Sequence, residues 1–411
     1  MSKKLLIVTQ YFPPEVGAPQ NRLFELAVRL KKEGINITVL TAMPNYPIGK
    51  IHKGYENKKY FYEEIEGIPV HRTSIYATPS KGIIKRLRNY FSFVFSSYFI
   101  GNKKIKDSFD YVLCESPPLF LGLSAYRIAK KHKAKFIFNV SDLWPESAEK
   151  LNLVNNKLML NAAYRLEAFL YSKADLITGQ TQGIVSNIKE RFPDKKIYWL
   201  PNGVDVRFFD PKNFDRTWRE QKGYKDSEIL ILYAGIIGHA QGLEIILETA
   251  GYFKNNKKIK FILLGSGPLK KELIERRDKE KLTNVIFEDL VPKSAIPSII
   301  NSCDVSLVPL KKLDIFKGAI PSKIFENCAM KKMLLLGVEG EAKELFIDQG
   351  KAGLFFEPEN VLDLKSKIDQ IEGNLELIKE FGENGRKYVE KNFNRDMIAR
   401  QFLKELQQLE S

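Results

Sequence analysis

Short apolar runs separated by helix-length stretches recur along this chain, stop at the turn cluster Leu-Pro-Asn-Gly-Val-Asp at residues 200–205, and then begin again. That rhythm constrains the fold more than any other feature. Strands that alternate with helices build a parallel sheet with both faces covered, because each parallel crossover consumes a dozen or more residues. Before the turn cluster, strands are expected at Leu5–Thr9, Asn36–Thr41, Tyr111–Cys114, Lys135–Val140, Asp175–Thr178 and Ile197–Leu200, with a hairpin around Gly67 joining Tyr60–Glu66 to Pro69–Ser74. After it they are expected at Ile229–Ala234, Lys260–Leu264, Val285–Phe287, Asp304–Val308, Met333–Gly337 and Gly353–Phe356. A chain of 411 residues exceeds one typical core. The pattern gives two doubly wound α/β domains, 1–203 and 204–389, with a helical tail of about 390–411 that packs back on the first. Ligands of such sheets sit beyond the carboxyl ends of the strands, so each loop after a strand is a site candidate.

The most informative of these loops is Gly318–Glu326, Gly-Ala-Ile-Pro-Ser-Lys-Ile-Phe-Glu. Proline suits the first helical position, so Pro321 is expected to open a helix carrying Lys323 and Glu326. Free N–H groups and the positive dipole end at such a start favour an anion, phosphate above all. Lys323 adds a full charge, and Glu326 is placed to accept hydrogen bonds from a ribose. An ordinary loop-helix junction with a surface Lys and Glu reads the same way in isolation. Two further glycine turns follow strands of the same half: Gly235, Gly238 and Gly242 in Tyr-Ala-Gly-Ile-Ile-Gly-His-Ala-Gln-Gly-Leu, and Gly265 and Gly267 in Leu-Leu-Gly-Ser-Gly-Pro. Each offers a permissive backbone for phosphate. In the first half, Gly17 lies in the Pro-rich loop after the first strand, and Arg22 at the start of the helix that follows. That loop is not Gly-x-Gly-x-x-Gly, so the dinucleotide fingerprint is absent.

Asp142 and Glu146, in Val-Ser-Asp-Leu-Trp-Pro-Glu-Ser, follow another strand of the first half, where either could orient or deprotonate a hydroxyl. Asp142 equally suits a helix N-cap. Net charge is +15 and lopsided: residues 1–205 hold 31 Lys/Arg against 18 Asp/Glu, and the remainder 34 against 32. A basic half beside a near-neutral one implies an anionic partner for the first domain. Residues 67–106 carry eight Lys/Arg and no acid, with aromatics between basic flanks. The apolar stretch Tyr90–Ile100 is too short to span a bilayer. It suits either an interfacial helix or a buried helix with solvated ends. Three scattered cysteines suit reduced thiols, the four histidines form no ligand pair, and the N-terminus lacks the apolar core of a signal peptide. Asp-x-Asp, His-Glu-x-x-His, Walker A and Gly-x-Ser-x-Gly motifs are absent.

Gly17, Leu200–Phe209, Leu-Leu-Gly-Ser-Gly-Pro, Val305–Leu310 and Pro-Ser-Lys-Ile-Phe-Glu-Asn-Cys-Ala together resemble a family 4 glycosyltransferase of the GT-B class, end to end. Asp-Leu-Trp-Pro-Glu-Ser and Gly-x-x-Gly-x-Ala-Gln-Gly-Leu are most similar to the N-acetyl-L-fucosamine (amino-sugar) transferases of O-antigen and capsule assembly. The resemblance implies two Rossmann-like domains and a retaining, metal-independent transfer without cofactor from a nucleotide-sugar, UDP-linked, to a hydroxyl. It places Gly17, Gly235, Gly238, Gln241, Gly265, Gly267, Gly318, Ala319, Ile320, Pro321, Ser322, Lys323 and Glu326 at the donor, with Asp142, Glu146 and Lys323 as the catalytic candidates. The family's two glutamates stand eight residues apart; here Glu326 fills the second place and Gly318 the first. Ile236 and Gln241 stand where it tends to have Arg and Lys, and Ser141 where it often has His. The implied acceptor is a polyprenyl-diphosphate-linked saccharide on an anionic membrane surface, met by Lys81, Lys85, Arg86, Arg88, Tyr90, Phe91, Lys103 and Lys104. The protein is then cytoplasmic, peripheral on the inner face of the plasma membrane, with no nucleic-acid partner. The rival readings are a nucleotide-sugar epimerase of the same fold and a non-catalytic basic protein that binds membrane or RNA.

Overall fold

A computed structural model of the protein describes residues 2–15, 17–80, 82–150, 154 and 156–409. The chain divides into two compact units, Met1–Asn202 with Arg395–Ser411, and Gly203–Asn394. The first holds an eight-stranded sheet in the order β3-β4-β2-β1-β5-β6-β7-β8. Its strands are β1 (Lys4–Val8), β2 (Asn36–Ala42), β3 (Tyr60–Ile65), β4 (Ile68–Thr73), β5 (Tyr111–Ser116), β6 (Lys135–Val140), β7 (Leu176–Gly179) and β8 (Ile197–Trp199). All neighbours are parallel except β3 and β4, the hairpin at Gly67. The apolar runs are continuous because both faces are covered. Leu6 and Val8 join the cluster around Phe93, Leu121 and Leu170, while Leu5 and Ile7 join that around Leu23, Leu30 and Phe402.

Phe402 belongs to the last helix, Arg395–Gln407, which lies in the first unit beside Ala18–Lys32. Arg29 of that first helix donates to Asp396 at 2.8 Å. The C-terminal stretch, expected to be helical, spans the end of one helix and the whole of another: Glu376–Asn392 ends at Phe393, and the second helix begins at Arg395. The buried Arg386 holds the end of the earlier one in the second unit by donating to Phe209 O and Ala329 O, each at 2.6 Å.

The second unit carries a six-stranded, fully parallel sheet in the order β11-β10-β9-β12-β13-β14. These strands are β9 (Ile229–Ala234), β10 (Ile259–Leu264), β11 (Val285–Glu288), β12 (Val305–Pro309), β13 (Met333–Gly337) and β14 (Gly353–Phe355). Ile229, Ile231 and Tyr233 enter one core cluster with Leu247, Phe261 and Leu335. Strand β9 lies centrally, so the turn after it stands beside the turn after β10. That adjacency positions the site described next.

Candidate active site

In the second unit, the helix Ser322–Ala329 starts just after Pro321, whose φ of −56° and ψ of 129° leave it outside the helix. Ser322, not Pro321, is therefore the first helical residue. The correction is one position and keeps the consequence: no side chain caps this start. Elsewhere, Asn156, Thr181 and Asn360 cap their helices by accepting from Met159 N, Ile184 N and Asp363 N. An uncapped start presents main-chain donors and positive potential to an anion.

Lys323 reaches from this start to the end of β9. Its Nζ lies 3.8 Å from the centroid of the Tyr233 ring, held against the ring's negative face. Burial of the ammonium lowers its pKa to about 7, against the opposing pull of Glu326 one turn along. A Cβ added to Gly235 would stand 2.7 Å from the same Nζ, and Gly235 has a φ of +148°. Backbone conformation thus favours glycine there, and any larger residue would displace the lysine from its seat. The Tyr233 hydroxyl donates to Ile236 O at 2.6 Å. One buried ring both seats the lysine and fixes the turn. Sequence reasoning missed Tyr233; the signal was a lone hydroxyl-bearing ring ending the aliphatic run Ile-Leu-Ile-Leu-Tyr-Ala.

The turns after β9 and β10 interlock through main chain. Gly235 N donates to Leu264 O and Ile237 N to Ser266 O, both at 2.9 Å. A Cβ on Gly265 would fall 1.9 Å from Gly235 O, and one on Gly267 2.2 Å from Ile237 O. Beside the donor role expected of them, Gly265 and Gly267 leave their bare Cα positions to the neighbouring turn, which they hold in shape. Gly238 precedes the short helical turn His239–Gln241. The Gln241 amide folds toward it, with its Oε1 3.1 Å from where a Gly238 Cβ would be. Ile236, in the place of a cation, is 62% exposed. Gly318 is open, with nothing within 4 Å of an added Cβ, so no packing demands a glycine. Ala319 N closes the turn by donating to Phe316 O at 2.9 Å, and Ile320 leads on to Pro321.

The first unit builds its strand ends from side chains. Arg22, buried, donates through Nη2 to Glu115 Oε1 and to Ser141 Oγ, each at 2.6 Å. Ser141 Oγ and Asn139 Nδ2 donate to the Glu115 carboxylate, and Thr178 Oγ1 donates to Asn139 Oδ1 at 2.6 Å. The network joins the first helix to the ends of β5, β6 and β7. Glu15 accepts from Asn45 N, Tyr46 N and Phe12 N, and burial raises its pKa although those bonds oppose the shift. Neither Glu115 nor Glu15 was singled out from sequence, since nothing local marks a glutamate as buried. Gly17 precedes the helix Ala18–Lys32, and a Cβ there would meet Gln20 Oε1 at 2.4 Å.

Asp142 and Glu146 part company. Asp142 is exposed, accepts the Ser147 hydroxyl at 2.5 Å, and lines a chamber of about 180 Å³ with Arg86, Tyr90, Phe120 and Trp144. Glu146 does not line that chamber; it pairs with Lys150 at 2.6 Å and accepts from Asn187 at 3.4 Å. A helical i,i+4 ion pair accounts for its charge. Among the basic-surface residues, Lys85, Arg86, Arg88, Lys103 and Lys104 are exposed, and Lys81 lies outside the described residues. Tyr90 and Phe91 are half-buried, and their rings turn inward onto Phe120, at centroid distances of 6.4 and 4.7 Å. The outward aromatics are Phe95 and Phe99, 57% and 65% exposed and stacked on each other. No described helix is long and apolar enough to cross a membrane.

Comparison with known proteins accords with this geometry. Residues 17–203 match the family "Glycosyl transferase 4-like domain" and residues 214–388 match "Glycosyl transferases group 1". The chain is a glycosyltransferase of the GT-B fold. It is similar to the putative colanic acid biosynthesis glycosyl transferase WcaI of Escherichia coli K12, at 25% identity over 98% of this chain and 99% of the relative. Among solved structures, sucrose-phosphate synthase from Thermosynechococcus elongatus superposes with a TM-score of 0.76 at 15% identity, covering 99% of each chain. Anabaena HepE in complex with UDP and glucose superposes with a TM-score of 0.71 at 16% identity, over 98% of this chain and 99% of that one. The epimerase and non-catalytic readings are set aside: both halves of this glycosyltransferase match families of sugar transferases.

Proposed function

We propose that this glycosyltransferase moves a sugar from a UDP-sugar to a polyprenyl-diphosphate-linked saccharide in bacterial surface polysaccharide assembly. Lys323, lodged against Tyr233 and Gly235 at an uncapped helix start, carries the proposal. The names of WcaI and of the UDP-bound HepE support the pathway and the nucleotide. The transferred sugar is an N-acetylated amino sugar and its anomeric configuration is retained, as the Asp-Leu-Trp-Pro-Glu-Ser resemblance implies.

As the glycosidic bond breaks, charge gathers on the leaving diphosphate. Preorganised donors aimed at that charge stabilise the transition state more than the ground state. The helix start at Ser322 and the Lys323 ammonium supply them, in the place a metal ion takes in other transferases. Glu326 receives the ribose hydroxyls, and the open turn Gly318–Ile320 receives the sugar. On the acceptor side, the exposed Asp142 orients the attacking hydroxyl. The protein works on the inner face of the plasma membrane, where Lys85, Arg86, Arg88, Lys103 and Lys104 meet anionic headgroups. Reversing the charge of Lys85, Arg86 and Arg88 releases it from anionic vesicles in a sedimentation assay; unchanged binding removes the membrane from the proposal.

The donor site is tested through the lysine. Its pKa of about 7 means that the ammonium is charged below pH 7 and deprotonates above it. Affinity for UDP-glucose, whose diphosphate stays anionic throughout, is therefore full below pH 7 and declines from pH 7 to 8.5. Calorimetry at pH 8 in buffers of different ionisation enthalpy reads proton uptake on binding. Lys323→Met abolishes the uptake and the pH dependence, and lowers kcat/KM by roughly 10²–10³-fold. An unchanged pH profile in that variant rejects the assignment.

A further inference from the structure

An apolar recess of the first unit is unused by the chemistry above. It is a cavity of about 440 Å³ whose walls include Leu87, Phe91, Phe120, Leu123, Trp144 and Leu166. Protein interiors hold few voids larger than a water molecule, whereas small-molecule pockets span roughly 300–1,000 Å³. Its lining is aliphatic and aromatic apart from Arg86 and Tyr90. A free saccharide would leave its hydroxyls without partners there. The occupant must itself be apolar.

Arg86, Tyr90, Phe120, Trp144 and Ala148 line both this cavity and the smaller chamber, so the two adjoin across shared walls. Asp142 and Ser147 line only the smaller one. The order along the pair is therefore apolar recess, guanidinium, carboxylate. Arg86 donates to Tyr90 Oη at 3.2 Å and, among the described residues, enters no ion pair, which leaves its charge for a ligand. Helical spacing continues the wall outward: Leu87 and Phe91 are followed at four-residue steps by the exposed Phe95 and Phe99. The apolar stripe runs from the cavity to the surface, an entry route for a chain drawn from a bilayer.

We infer that this cavity seats the first isoprene units of the acceptor's lipid chain, with Arg86 holding the diphosphate at the rim and the attached sugar in the Asp142 chamber. The inference rests on the lipid-linked acceptor proposed above and assigns it a specific seat. Chain, diphosphate and sugar follow in the order in which the apolar, cationic and carboxylate walls occur.

The test is titration of the full-length protein with inorganic diphosphate, geranyl diphosphate, farnesyl diphosphate and dodecyl phosphate. Affinity rises at least about tenfold from geranyl to farnesyl diphosphate, because each isoprene unit buries several methylene equivalents. Ala162→Trp, from the exposed side of the cavity wall, removes that gain and leaves the weak affinity for inorganic diphosphate. UDP-glucose stabilisation of the variant verifies that it is folded. Equal affinity for inorganic and farnesyl diphosphate, or a full chain-length gain in Ala162→Trp, overturns the inference. So does a dodecyl phosphate affinity equal to that of farnesyl diphosphate, which marks a general lipid recess. If UDP-glucose binding and vesicle attachment persist through such a failure, the cavity assignment alone falls; loss of both overturns the functional reading beneath it.

Discussion

The carboxyl ends of the two sheets are built from different materials. In the second unit, the turns after β9 and β10 touch backbone to backbone, and one lysine supplies the charge. In the first, Arg22, Glu115, Ser141, Asn139 and Thr178 converge from several elements into a buried side-chain network. The contrast teaches where each site is fragile. Main-chain geometry tolerates added side chains wherever space is open and fails wherever it is not. A buried ion pair tolerates almost no truncation, because the partner left behind keeps its charge out of water.

The largest expected effect lies in the network. Arg22→Met leaves Glu115 buried without its cation and lowers stability by about 3–5 kcal/mol in chemical denaturation. A loss near zero would put the two strand ends on an equal footing and break the contrast. Next comes a gain in the second unit. Ile236→Arg places a guanidinium on an exposed turn position, and tightens UDP-glucose binding about tenfold by calorimetry. No gain would mean that Lys323 and the helix start already meet the whole diphosphate. The smallest effect is Gly318→Glu. Since the added Cβ meets nothing within 4 Å, the melting free energy stays within about 0.5 kcal/mol of the parent. A large loss would show that this turn, like the one at Gly235, depends on a bare Cα.

Much of the architecture was legible because it is written in local pattern. Apolar runs of strand length, interrupted by helices and reset at residues 200–205, sufficed for two parallel sheets; β9 and β13 begin and end where the pattern puts them. Lys323 and the helix start were legible because a proline before a helix and a cation in its first turn lie within a few residues of each other. Gly265 and Gly267 were recognised as special, but the turn packed on them was not foreseen, since sequence shows that a Cβ is missing and not what occupies its place. The stretch holding Tyr90 and Phe91 stayed open between an interfacial and a buried helix because composition cannot say which side of a helix is covered.

By itself, then, the sequence determined the order of the elements, the two-unit division and the anion-ready turn that follows β12, since all of these depend on neighbours along the chain. Tertiary structure alone decided that Tyr233 seats Lys323, that Glu115 is buried with Arg22, that Glu146 pairs with Lys150, and that an apolar cavity opens beside Asp142. The physical reason is the same in each case. Burial and charge pairing depend on which distant side chains are brought together, and residues as far apart as 22, 115 and 141 carry no mark of one another until the sheet forms.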